Sequence, residues 1–270
     1  MIVPQEAIAP YAGRLAALRT YLELPPKTEF KWATDGGPMH KQWDKQREAR
    51  QQMLQDALDL GITAVVVVCA TDRMPDSWSE QKIKLEMLTY LYERVSMVLD
   101  TAGDSGVLIA DQPPGGRVDE KRWLAETLDL TKNGTQYIDA NPNRIVLPVL
   151  TTRSDHVDLL QLADLVTAAT TALVAGSPHA APYRDLVFSL LAKNWLEGKG
   201  GTGLKLVPDA DHSPHNLRNP FYWVFGEKWF TRVSQFGGML LPHRFWAYAT
   251  DDGLGNTLPP DHPYAKKDSA

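Results

Sequence analysis

The chain has little cysteine and no long apolar run, and each scarcity excludes a class of protein. Cys69 is the single cysteine among 270 residues, so neither an internal disulfide nor a cysteine-rich zinc module can form. The longest apolar stretch, at residues 63–70, has the length of a strand, whereas a membrane span needs about 18 apolar residues. Residues 1–6 lack the charged and apolar regions of a signal peptide. We therefore expect a cytoplasmic protein without a membrane segment.

Positive charge is also scarce. The 28 lysines and arginines are outnumbered by 33 aspartates and glutamates, which gives a net charge of −5. A generally basic coat for nucleic acid is thereby excluded, and any contact with nucleic acid must be made through a local groove. The apolar share of 43% and the charged share of 23% are those of an ordinary globular protein, so this length suits one large domain or a domain with an appendage.

Strand-like and helix-like segments alternate from residue 28 to about residue 197. Three apolar runs have the pattern of strands buried on both faces, and a fourth segment alternates polar and aromatic residues; these are residues 63–70, 107–110, 145–150 and 28–32. Helical spacing is found at residues 4–24, 41–60, 79–99, 118–130, 157–174 and 183–196. This order predicts an α/β fold with a mostly parallel sheet between helices. Residues 1–200 form the predicted domain, and residues 201–270, rich in Gly, Pro and aromatics, form a C-terminal extension packed on it, with one strand-like piece at 204–207.

Two aspartates in apolar surroundings are candidates for chemistry. Asp164 lies in an apolar helical stretch and shares a helix face with Gln161. A carboxylate buried there costs several kcal/mol unless it is paired or bound to a metal, although a cap or a buried salt bridge explains it equally well. Asp111 ends an apolar strand, where open α/β sheets bind ligands, but an aspartate that starts the turn before Pro113 is the alternative. Together the two carboxylates suit a divalent metal ion.

Glu29 is the third candidate carboxylate. It shares one face of the predicted strand at residues 28–32 with Lys31. The alternative interpretation is a solvated strand face.

Three short motifs resemble one protein family. Residues 161–165, Gln-Leu-Ala-Asp-Leu, preceded by Ser154, resemble the closing motif of the family known as domain of unknown function 3800. Residues 109–112, Ile-Ala-Asp-Gln, resemble its aspartate-bearing strand, and residues 29–31, Glu-Phe-Lys, resemble its Glu-x-Lys segment. The order of strands and helices agrees as well, so the resemblance covers about residues 1–175.

The resemblance implies a fold and an activity. The fold would be an RNase H-like three-layer sandwich, with a central mixed or parallel sheet and helices on both faces. Glu29, Asp111 and Asp164 would be catalytic residues and ligands of Mg²⁺ or Mn²⁺, while Lys31 would contact a substrate phosphate and Gln161 would position or bind the substrate. The reaction would be phosphodiester hydrolysis with two ions about 4 Å apart, and the partner would be nucleic acid bound in a local groove.

The chain departs from the family at its start. The family's first strand usually has an Asp-Glu-Ser-Gly segment, which has no counterpart before Glu29, and residues 2–4 resemble the segment just downstream of that strand. We expect either an in-frame upstream strand with such a segment or the loss of one ligand, which would leave a weak or inactive nuclease. A non-catalytic binding or scaffold module of a defence or mobile-element system is therefore the main alternative, and a small-molecule enzyme using the same carboxylates is another.

Overall fold

The structure is a computed structural model, and it describes residues 1–33, 37–69, 71, 74–113, 116–135, 142–146, 149–175, 177–193, 199–207, 231–233 and 240–242. The helices in these ranges are α1 (Ile8–Tyr21), α2 (Trp43–Asp59), α3 (Glu80–Ala102), α4 (Gly116–Asn133), α5 (Asp158–Val174) and α6 (Arg184–Leu190). The strands are β1 (Val66–Cys69), β2 (Ile109–Asp111), β3 (Leu150–Thr152), β4 (Leu204–Val207), β5 (Thr231–Val233) and β6 (Leu240–Pro242). The predicted mixed α/β class is confirmed.

The strands pair two by two within the described part of the chain. β1 lies parallel to β4, β2 lies parallel to β3, and β5 and β6 are antiparallel. β4 belongs to the stretch assigned to the C-terminal extension, and it pairs with β1 of the predicted domain. Apart from residues 201–207, β5 and β6, that stretch lies outside the described residues. Ile2 makes an antiparallel bridge to Thr63, with its N–H nitrogen 2.7 Å from the Thr63 carbonyl oxygen.

The main core forms where α1, α2, α5 and α6 pack together beside β1 and β4. Helix α1 presents Tyr11, Leu15 and Leu18 to this core, and α5 presents Leu162 and Leu165, as the helical spacing of apolar residues predicts. Each fully buried side chain of this size contributes about 1.5–3 kcal/mol to folding. No helix among the described residues is long and apolar enough to cross a membrane.

The strand predicted at residues 145–150 overlaps β3 (Leu150–Thr152) only at Leu150 among the described residues. Two further predicted elements differ from the structure because backbone groups find other partners. Residues 28–32 form no strand, since the N–H of Phe30 donates to the side-chain oxygen of Gln161 at 3.0 Å rather than to a neighbouring strand. The last predicted helix ends at Leu190, because Leu191 turns extended and bridges in parallel to Ala64.

The prediction that β2 and β3 are buried on both faces is wrong. Ile109 in β2 is 51% exposed and Leu150 in β3 is 49% exposed, and Val107 and Val146 beside them are also exposed. The two strands pair only with each other among the described elements, so an apolar sequence alone does not establish that both of their faces are covered.

A buried ion pair joins α3 to the chain before β4. Glu93 is fully buried and accepts from Arg94 at 2.5 Å and from the Thr135 hydroxyl at 2.6 Å. Arg94 also donates to the carbonyl oxygen of Gly201 at 2.8 Å, and its guanidinium lies 5.5 Å from the centre of the Tyr90 ring. The pair therefore connects three segments of the chain that are distant in sequence.

Candidate functional site

Glu29 and Asp111 are joined through one residue at the carboxyl end of the β2–β3 pair. Because the strands are parallel, Asp111 at the end of β2 lies beside the turn that follows β3. In that turn, the backbone N–H of Ser154 donates to Asp111 Oδ1 at 3.1 Å. The Ser154 hydroxyl donates to Glu29 Oε1, also at 3.1 Å, although Glu29 is remote from both strands in sequence.

An open cavity of about 360 Å³ lies at this place. It is lined by acidic and basic side chains together, which are Glu29, Lys31, Asp111, Arg153 and Asp155, with Gln112, Pro113, Gly116 and Ser154 between them. A cavity with this lining is suited to an ionic ligand.

The Lys31 ammonium supplies positive charge to the carboxylates. Its Nζ lies 2.8 Å from Glu29 Oε2. The hydrogen bond to Glu29 raises the pKa of Lys31, and the charges of Glu29, Asp164 and Asp111 raise it further, whereas burial lowers it. All three predicted carboxylates are thus close enough to act on the same ammonium group.

Asp164 lies on the exposed side of α5, which differs from the buried surroundings expected from its apolar neighbours. Its carboxyl nevertheless loses part of its hydration to the side chains around it, and this burial raises its pKa. The backbone N–H of Trp32 and the charge of Lys31 lower the pKa of Asp164, whereas Asp111 and Glu29 raise it. The buried apolar residues of α5, such as Leu162 and Leu165, face the core, whereas Asp164 lies on the exposed side within range of the charges of Lys31, Asp111 and Glu29.

Replacing Asp164 with Asn should leave the metal-free protein as stable at pH 7 or make it more stable. Because folding raises the pKa of Asp164, its protonated carboxyl favours the folded state at acidic pH, and this contribution is lost as the pH rises through the raised pKa. The gain in free energy of unfolding of Asp164→Asn over the wild type should therefore be smaller at pH 4 than at pH 7. Urea denaturation at the two pH values measures this difference. A variant that is several kcal/mol less stable at pH 7 would instead identify Asp164 as a structural ion-pair partner.

Gln161 is buried and does not line the cavity, although the sequence resemblance implied a role toward the substrate. Its side-chain oxygen accepts from the N–H of Phe30 at 3.0 Å, and its side-chain nitrogen donates to the carbonyl oxygen of Ser154 at 3.0 Å. Gln161 therefore joins the residue after Glu29 to the turn after β3.

Arg19 supports the site and was missed by the sequence reasoning. It is buried, donates to the carbonyl oxygen of Thr28 at 2.9 Å, and pairs with Asp158 at 2.6 Å. Its guanidinium also lies 5.2 Å from the centre of the Phe30 ring. The sequence feature that could have indicated this buried role is the position of Arg19 four residues after Leu15, on the apolar face of α1.

The donor set suits a hard divalent cation, although the side chains are not grouped around one point. Carboxylate oxygens are the ligands that Mg²⁺ and Mn²⁺ prefer. Within the part of the chain that the structure describes, no three His, Cys, Asp or Glu side chains are grouped so as to hold a metal ion. One oxygen of Glu29 is occupied by Lys31, so a cation shared by the carboxylates would have to displace that ammonium group.

A larger cleft of about 490 Å³ meets the cavity at Pro113, which lines both. Its walls come from β1, α3 and α4 and are mainly apolar, with Val66, Leu88 and Trp123 among them. The carboxylates Glu29, Asp111 and Asp164 do not line this cleft.

Comparison with known proteins adds no family. No family model, no curated protein and no solved structure matches the chain. The resemblance to domain of unknown function 3800 rests on the three short motifs, and the case for a function rests on the geometry of the site.

Proposed function

We propose that this chain hydrolyses phosphodiester bonds of nucleic acid with Mg²⁺ or Mn²⁺ held by Glu29, Asp111 and Asp164. The observation that supports this is the pair Glu29 and Asp111, which line one open cavity and are joined through Ser154. Asp164 acts with them on Lys31, because all three charges raise the pKa of its ammonium group. Like charges repel, so neighbouring carboxylates favour a nearby cation or, without one, hold a proton more tightly. Groups whose pKa is shifted by burial and by neighbouring charges are frequent at functional sites, and Asp164 and Lys31 are two such groups.

The proposal extends to the fold. We infer an RNase H-like sandwich, of which the parallel pairs β1–β4 and β2–β3 and their flanking helices are parts. The position of Asp111 and Ser154 at the carboxyl ends of parallel strands supports this, since α/β sheets bind ligands at that edge.

Two basic side chains are placed to bind the phosphate. Lys31 has a half-exposed side chain, and Arg153 is 66% exposed and forms a bidentate pair with Asp155 at 3.0 and 2.9 Å. Exposed ion pairs of this kind contribute little to stability, so both cations can exchange a carboxylate partner for phosphate oxygens. A bound divalent ion would lower the pKa of a coordinated water and stabilise charge on the leaving oxygen.

The second candidate is a non-catalytic binding module, and the contact between Lys31 and Glu29 favours it. An ammonium group that neutralises the carboxylates permanently would make a divalent ion unnecessary. In that case the cavity would bind an anionic polymer through Arg153 without cleaving it.

Asp111→Asn is expected to reduce metal-dependent hydrolysis at least about 100-fold, because loss of even an outer partner of a metal site costs about 10–100-fold. Cleavage of labelled single-stranded and double-stranded DNA and RNA would be measured with Mn²⁺, with Mg²⁺ and with a chelator. Asp185→Asn is the matched control, since Asp185 is 86% exposed on α6 and its side chain bonds locally to Arg184. Binding of these polymers by the wild type without any cleavage in either metal would contradict hydrolysis and support the binding module.

A further inference from the structure

Ser154 contacts two of the three candidate carboxylates. Its backbone N–H donates to Asp111 Oδ1 and its hydroxyl donates to Glu29 Oε1, both at 3.1 Å. A single residue therefore connects two carboxylates that β2 and the chain after α1 provide separately. Each carboxylate oxygen has two lone pairs, so an oxygen that accepts from Ser154 can still bind a cation.

The position of Ser154 is itself fixed by the core. Its carbonyl oxygen accepts from the buried side chain of Gln161 at 3.0 Å, and the same side chain accepts from the N–H of Phe30. Gln161 is further in contact with Arg19 and Asp158, at 3.4 Å from each. A continuous set of hydrogen bonds thus runs from the core of α1 and α5 to Glu29 and Asp111.

We propose that Ser154 is a positioning residue that sets the orientation of the Glu29 carboxylate relative to that of Asp111, and thereby the affinity of the site for a divalent cation. This inference rests on the proposed function. The bond to Asp111 comes from the backbone and survives most substitutions, whereas the bond to Glu29 depends on the hydroxyl. Without the hydroxyl, Glu29 keeps its contact with Lys31, which competes with a cation for the same carboxylate.

Titration calorimetry of Mn²⁺ binding to the full chain measures how substitutions of Ser154 change the affinity for the cation. We expect Ser154→Ala to weaken binding by about 10-fold or more, as for other residues that orient metal ligands, and Ser154→Thr to restore it, because threonine keeps the hydroxyl. Ser189→Ala is the control, since the Ser189 hydroxyl donates to the Asp185 carbonyl oxygen of its own helix, away from the carboxylates. Equal affinities of Ser154→Ala and the wild type would overturn the proposal.

A crystal structure of metal-free Ser154→Ala separates failure of this inference from failure of the proposed function. The expected result is a Glu29 carboxylate that has turned away from Asp111 toward Lys31. An unchanged Glu29 would overturn the positioning role whatever the wild type binds. A wild type that binds no Mn²⁺, together with a displaced Glu29 in the variant, would overturn the proposed function and leave the role of Ser154 in ordering the carboxylates supported.

Discussion

Replacing Glu93 with Gln should lower the free energy of unfolding by about 3–5 kcal/mol, which is the cost of breaking a buried ion pair by removing one partner. Glu93 is fully buried, and Arg94 beside it is nearly so. The substitution keeps the shape of the side chain and removes the negative charge that pairs with the Arg94 guanidinium. The other partners of Arg94, the Gly201 carbonyl oxygen and the ring of Tyr90, are neutral and cannot replace that charge. Urea denaturation at pH 7 followed by circular dichroism measures the difference.

Glu80→Gln on the same helix is the control for this experiment. Glu80 is 81% exposed and pairs with Lys84 at the first turn of α3. Exposed ion pairs are screened by water and contribute little to stability, so this variant should unfold close to the wild type. If Glu93→Gln also lowers the free energy of unfolding by less than about 1 kcal/mol, the ion pair of Glu93 and Arg94 is not buried in solution.

Replacing Arg19 with Met should reduce stability by about 2–4 kcal/mol and also disturb the site, because its charged hydrogen bonds are lost and their acceptors remain partly buried. The methionine has a similar length and keeps the apolar contacts of α1. It leaves Asp158 without this ion-pair partner and removes the donor to the carbonyl oxygen of Thr28. The segment that bears Glu29 then loses the link to α5 through Arg19 and keeps the bond between Phe30 and Gln161, so Mn²⁺ affinity should fall together with stability.

Arg122→Met separates these effects from a general loss of positive charge. Arg122 is 58% exposed on α4 and pairs with Asp119 at 2.9 Å. Neither stability nor Mn²⁺ affinity should change in this variant. If Arg19→Met unfolds like the wild type in urea, the buried network beneath Glu29 does not hold in solution.

The sequence was sufficient to predict the helices and the parallel strands in outline. The helical spacing of Tyr11, Leu15 and Leu18 predicts which face of α1 is buried, and the structure buries these residues. The β-branched run at residues 63–70 contains β1. The α/β class followed from the alternation of strand-like and helix-like segments. The hydrophobic period of each segment and the order of the segments can both be read directly from the sequence. The RNase H-like topology remains a proposal, since the described strands form pairs rather than one continuous sheet.

The site was only partly predictable. Glu29, Asp111 and Lys31 could be proposed from strand ends and motifs, and the structure brings them to one cavity. The environment of Asp164 was predicted wrongly, because apolar neighbours on a helix do not report which face each residue takes. The bonds of Ser154 to Glu29, of Gln161 to Phe30 and of Arg19 to Asp158 could not be derived from the sequence. Each joins residues more than 100 positions apart through a side-chain hydrogen bond, which leaves no periodic pattern.

The most direct test of the cation site is a crystal structure of the protein with Mn²⁺, with data collected for manganese anomalous scattering. We predict an anomalous peak among Glu29, Asp111 and Asp164, at about 2.0–2.2 Å from their oxygens, and an ammonium group of Lys31 that has left Glu29. An empty cluster at millimolar Mn²⁺, with Lys31 still bound to Glu29, would contradict the proposed cation site.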